Sequence, residues 1–227
     1  MKVFLTIVGS VLLANSWWSY GVEAFQPAAL CLANAGDCTA KFSGVSISLQ
    51  EMQDLSTQLM DQSFDFLVLS SAFDHHAKNR PGFRKLYRKI SDEAWSDSIE
   101  LIKYQAKRGY QPAFNPNYKF ASSGLRTLND PDLASEHDSL KLAMEYEKQV
   151  ATTAHALHKK VSVAHHKPAH YDPDVAHFMD EHIIAKRSES VRKLTGFIHV
   201  LDGILNVDSS TRDMGLHEFD EYLQSVV

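Results

Sequence analysis

The sequence predicts an all-α protein: a four-helix bundle with one long crossover connection and a short fifth helix at the C-terminus. Three observations lead there. Four long segments place apolar residues at alternating three- and four-residue steps, the seam of helices packed in a bundle. A long polar stretch, "GYQPAFNPNYKFASSGLRTLNDPDLAS", divides the second segment from the third, so the third helix is free to start at the far end of the bundle. A last segment, "GLHEFDEYLQSVV", reads as one more helix.

Taken in order, residues 1–24 stand outside the fold. "MKVFLTIVGSVLLANSWWSYGVEA" has a lysine at position 2, an apolar run from Val3 to Ala14 and a small residue at Ala24, the pattern of a secretory signal peptide cleaved after Ala24. The apolar run is too short for a bilayer span. Residues 25–47 form an extension with the only two cysteines, Cys31 and Cys38, in "ALCLANAGDC". In an oxidising compartment such a pair is expected as disulfide, either with each other or with another chain. The folded domain is 48–227.

The first helix is predicted over 48–77, with Met52, Leu59, Phe66 and Phe73 seven apart and Leu55 and Leu69 between them. Pro81 suits the first position of the second helix, 81–108, which Gly109 stops. Its seam is Phe83, Tyr87, Ile90, Ala94, Asp97, Leu101 and Tyr104. The third helix, 136–164, has Leu140, Met144, Glu147, Val150, Ala154, Leu157 and Val161 on its seam. The fourth, 173–205, has Ile184, Arg187, Val191, Leu194, Ile198 and Leu201.

Composition is that of a globular chain: 227 residues, 44% hydrophobic and 22% charged. A net charge of −5 excludes the basic surplus of a nucleic-acid binder. "RKLYRK", residues 84–89, reads as a solvated basic face with snorkelling stems.

Three seam positions on three helices are charged: Asp97, Glu147 and Arg187. A charge in a bundle core is costly unless paired, so the three are expected to meet. Bundles that bind two metals use a Glu from each of two helices and Glu-x-x-His from the others. Here the second helix has Ala94 and Asp97 at that spacing, and an arginine repels a cation. The pattern predicts a degenerate metal site, with Arg187 supplying the positive charge. Two acids and one arginine leave −1, to be balanced by a water, by a tyrosine such as Tyr104, or by a raised carboxyl pKa.

"KNRPGFRKLYRKISDEAWSDSIELIK", "AMEYEKQVATTAHALHKK", "ESVRKLTGFIHVLDGI" and "FDEYLQ" together resemble the ferritin family, in particular its secreted, insect-type light chains. The resemblance implies the ferritin-like bundle and places the oxidation centre of heavy-type subunits on Leu59, Phe66, Ala94, Asp97, Glu147 and Arg187. The family's catalytic pattern there is Glu, Tyr, Glu, His, Glu and Gln, so only Glu147 matches. It implies that Asp92 and Glu93 fall among mineral-nucleating acids, with Lys89 and Ser96 in neighbouring places. It also implies that His158, His177 and Asp180 line a three-fold iron channel, although the family has an acid at the position of His177.

The function expected is therefore iron storage: a non-catalytic light-type subunit that holds ferric mineral with heavy-type partners in a twenty-four-subunit shell, in the secretory pathway or outside the cell. An iron-oxidising bundle acting alone needs the missing Glu-x-x-His. A secreted helical signalling protein needs no inward charges on three helices.

Overall fold

The computed structural model describes residues 39–113, 135–163 and 170–227. The predicted signal peptide, Cys31 and Cys38 lie outside them, as does most of the long connection.

Helix α1 (Val45–Asp74) pairs with α2 (Pro81–Lys107) as an antiparallel hairpin. α1 starts and stops three residues earlier than the seam predicts. His75 is extended, and the amides of Lys78 and Asn79 both turn back to its carbonyl. Asn79 then takes a left-handed φ of 49°, which an asparagine tolerates. The link is thus a built turn that delivers Pro81 to the first position of α2, as expected.

Helix α3 (Glu136–Ser162) starts at Ser135, whose hydroxyl accepts the Asp138 amide at 3.0 Å. The fourth rod has three parts: α4 (Pro173–Phe178), a π-helical stretch (Met179–Ile184) and α5 (Ala185–Leu205). Asp172 caps it by accepting the Val175 amide at 3.2 Å. The wider π turn buries both Ile183 and Ile184, and the next seam residue is Arg187. Helix α6 (Ser209–Val226) packs back against α2.

Two buried contacts define the topology. Near the starts of α2 and α3, Tyr87 donates to Ser139 at 2.6 Å. At their other ends, Arg108 pairs with Asp172, whose amide bonds the Val161 carbonyl at 3.1 Å. α2 and α3 therefore run parallel, with the end of α2 and the start of α3 at opposite ends of the bundle. That is the predicted crossover.

The interior has two apolar blocks. One joins Phe66, Phe73, Phe83, Tyr87, Leu140 and Leu194 to Leu216, Phe219 and Leu223 of α6. The other joins Met52, Leu59, Leu101, Val150, Leu157, Met179 and Ile183. Full burial of each large side chain favours folding by about 1.5–3 kcal/mol. Met144 and Val191, predicted on seams, are only half-buried; on α3 the neighbouring Ala143, Tyr146 and Glu147 take the inward positions instead. On α1, α2, α3 and the fourth rod the gap between the two blocks falls at the same level, and that level is polar.

Helix α6 completes α2. Arg80, the residue before α2, offers no capping side chain. Asp220 of α6 supplies it, its carboxylate accepting the Phe83 amide at 3.0 Å. Gly82 permits the approach, since a Cβ there would lie 2.0 Å from the Asp220 carbonyl oxygen.

Candidate functional site

The polar level contains Gln62 from α1, Asp97 from α2, Glu147 from α3 and Arg187 from α5, all at most 2% exposed. Each is there because it occupies a seam position between apolar neighbours one turn away. Arg187 is the hub. Its Nη1 donates to both Glu147 oxygens, at 3.0 and 2.9 Å, and its Nη2 donates to Asp97 Oδ2. One planar fork thus serves carboxylates from two other helices.

Two further residues finish the cluster. Gln62 Nε2 donates to Glu147 Oε1 at 2.7 Å. Lys186, half in solvent, reaches back with Nζ to Asp97 Oδ1 at 2.7 Å. Asp97, Glu147, Lys186 and Arg187 sum to zero, so the missing positive charge is Lys186. Tyr104 is not part of it. Its hydroxyl donates to Asp174 at 2.7 Å and accepts from Arg108 at 2.8 Å, in a separate cluster at the end of α2. The distance along α2 from 97 to 104 is about two turns, roughly 10 Å.

Burial pushes the Glu147 carboxyl above its ordinary value, against the pull of Arg187 and Gln62. Burial alone would lower Arg187, but Glu147 and Asp97 outweigh it and hold the guanidinium charged. Lys186 is likewise held charged, Asp97 and Glu100 outweighing its partial burial.

Leu59, Phe66 and Ala94, the other three positions implied by the resemblance, are fully buried and present only carbon to this level. Sequence reasoning assigned α1 nothing polar here and so missed Gln62, although 62 is the seam step between Leu59 and Phe66. Lys186 was missed because it lies off the seam.

The other predicted groups are more scattered. Asp92 and Glu93 are exposed on α2, and Asp92 pairs with Arg88 at 3.1 Å. His158 meets Asp180 at 3.2 Å, across α3 and the π stretch. His177 is not joined to them but pairs with Glu181 at 3.2 Å, one turn along its own rod. Among the described residues, no group of three or more His, Cys, Asp or Glu is placed to hold a metal ion.

No protein-family model matches the chain. It is 37% identical over 187 residues to a ferritin light chain of Drosophila melanogaster, covering 82% of this chain and 80% of the relative. The chain belongs to the ferritin family. A ferritin light chain of Trichoplusia ni is 30% identical over 180 residues, covering 78% of this ferritin and 75% of the relative. The crystal structure of Trichoplusia ni secreted ferritin superposes with a TM-score of 0.71 at 27% identity, over 84% of this chain and 89% of that one. The ferritin-like bundle and the insect-type resemblance read from the motifs are thereby borne out. Among the described residues of this ferritin, no helix is long and apolar enough to cross a membrane.

Proposed function

We propose that this ferritin chain is a non-catalytic, light-type subunit of a secreted iron-storage shell. The observation that carries the reading is the Arg187 guanidinium lodged between Asp97 and Glu147. A di-iron centre does not fit these residues. The guanidinium fills the space between the two carboxylates and repels a cation, and Leu59, Phe66 and Ala94 supply no ligand atoms. The chain's part in storage is then to build the shell and to offer oxygen ligands to ferric iron, which is cargo here. Hard carboxylates such as those of Asp92 and Glu93 suit ferric ions. Oxidation is left to heavy-type partner subunits in a twenty-four-subunit assembly.

The same reading divides the chain into a signal peptide (1–24), a cysteine-bearing extension (25–47) and the ferritin domain (48–227), and places the shell in the secretory pathway or outside the cell. The names of the two light chains and of the secreted ferritin support it by likeness. His158 and Asp180, already in contact, are the members of the proposed channel set best placed to meet an entering cation. The test is ferrous oxidation by the purified homopolymer. A rate no faster than buffer is expected, and a saturating, oxygen-dependent rate overturns the reading.

A further inference from the structure

Residues 40–44 lead into α1 and cross the end of α2. Ala40, Lys41, Phe42 and Ser43 are exposed, and Gly44 and Val45 are buried. An exposed lead-in segment is the kind of stretch that proteases nick. Lys41 followed by Phe42 gives them a basic residue and an apolar one to read. Yet each residue from 40 to 44 meets the end of α2 or the link before α4.

Arg108 is the central tie. Its guanidinium carbon lies 4.0 Å from the centre of the Phe42 ring, and its Nη2 donates to the Phe42 carbonyl at 3.2 Å. The guanidinium does not follow the segment when it lifts. It is 2% exposed and held by Asp172 and Asp174, each at 2.7 Å, and by the Tyr104 hydroxyl at 2.8 Å. Weaker ties flank it. Gly109, with φ of 79°, lets the backbone pass, since a Cβ there would lie 3.0 Å from the Ala40 carbonyl carbon and the Lys41 nitrogen. Lys41 Nζ stands 5.0 Å from the centre of the Tyr110 ring. The Ser43 hydroxyl donates to the Tyr171 carbonyl at 3.0 Å. Gly44 is so close to His170 that a Cβ would meet its carbonyl oxygen at 2.5 Å.

We infer that the Lys41–Phe42 bond is a guarded cleavage site, and that Arg108 guards it against serine proteases that cut after a basic residue. A protease takes its substrate as an extended strand. Ser43 has a left-handed φ of 58°, and the Lys41 side chain lies over Tyr110, so the segment as it stands does not fit a protease cleft. It must straighten first, and straightening pulls Phe42 and Ser43 off their partners. Cutting then tracks the fraction of molecules in which the segment has lifted. The reaction is hydrolysis and needs only water. The bond between the Lys41 carbonyl carbon and the Phe42 nitrogen breaks, hydroxyl joins the carbonyl carbon, and the remaining hydrogen joins the new amine. The cut severs from the subunit everything ahead of Phe42, Cys31 and Cys38 included. Exposure to extracellular proteases rests on the localisation proposed above; the guard itself does not.

The test is limited digestion of the assembled shell with trypsin, the cut at Lys41–Phe42 being followed by mass spectrometry. Peptides spanning residues 39–46 of each sequence give the rate for a segment that nothing holds. The unaltered protein should be cut roughly a hundredfold more slowly than its peptide, the combined worth of the ring contact and the hydrogen bonds. Phe42→Ala/Ser43→Ala leaves Arg108 on Asp172 and removes the ring and the hydroxyl from an exposed segment. Its protection should fall roughly tenfold. Phe42→Tyr keeps a ring over the guanidinium and should keep the protection. Arg108→Met should lose more than either, and if it fails to fold, the double variant carries the test. Lys148, exposed on α3, should stay uncut throughout, which together with helical circular dichroism reports an intact bundle. Cutting of the unaltered protein at the rate of its peptide overturns the guard. Equal protection in Phe42→Ala/Ser43→Ala and the unaltered protein overturns the part given to Arg108. Faster cutting that appears only together with cutting at Lys148 overturns it too, because the whole bundle has then loosened. None of these outcomes touches ferrous oxidation, so the guard and the storage reading fail separately.

Discussion

Replacing Arg187 with methionine should cost far more than the loss of one pair. The variant keeps the length of the side chain and removes the fork that serves Glu147 and Asp97. Asp97 retains Lys186, so the cost concentrates on Glu147, which is 1% exposed and left with Gln62 alone. Breaking a buried pair from one side costs about 3–5 kcal/mol. Glu147→Gln made on top of Arg187→Met removes the stranded charge and should recover most of the loss. The pH dependence has a definite sign. A carboxyl whose folded pKa lies above its ordinary 4.5 binds more protons folded than unfolded, so its contribution is fully present below 4.5 and falls as pH rises through the folded value. Without Arg187 that folded value climbs further. The deficit of Arg187→Met should therefore be largest at neutral pH and narrow on acidification toward 4.5. The assay is denaturant unfolding of disassembled subunits at a series of pH values. A loss below about 1 kcal/mol at neutral pH, the worth of an exposed pair, would refute the buried cluster.

Asp92→Ala/Glu93→Ala in a mixed shell should slow core growth and spare initial ferrous oxidation; unchanged growth on light scattering removes these residues from nucleation. Cys31 and Cys38 should be oxidised in the secreted protein with at least one bridge to a partner subunit, and non-reducing electrophoresis that yields monomer alone counts against the partner bridge. Asp220→Ala removes the side-chain cap that α2 has among the described residues and should cost about 1–2 kcal/mol, read as a lower midpoint in urea with an unchanged slope.

Much of this arrangement was legible because a bundle seam is a one-dimensional code. Asp97, Glu147 and Arg187 stood out as charges on an apolar rhythm, and the structure brings the three together. Gln62 obeys the same rhythm, yet an uncharged amide at a seam step attracts less notice than a carboxylate. Lys186 was beyond the code: it sits beside the seam and enters by the length of its stem. The π stretch before Arg187 leaves no mark on propensity, because one widened turn uses the same helix-forming residues. The early end of α1 depends on the turn that sets Pro81, not on residues 75–77, whose composition is compatible with helix. The pairing of Asp220 with the start of α2 spans 137 residues and is invisible to any local window.

That pairing has a consequence for the order in which the molecule is made. The α1–α2 hairpin leaves the ribosome with the opening amides of α2 bare, since Arg80 brings no cap and Asp220 has not yet been synthesised. Without α6 the apolar end of the hairpin, around Phe73 and Phe83, lacks the cover that Leu216, Phe219 and Leu223 give it. Among the described residues, α6 closes it by slotting its backbone over Gly82. Helix α6 is therefore a clasp: one helix supplies both the cap and the apolar cover that the α1–α2 hairpin lacks by itself.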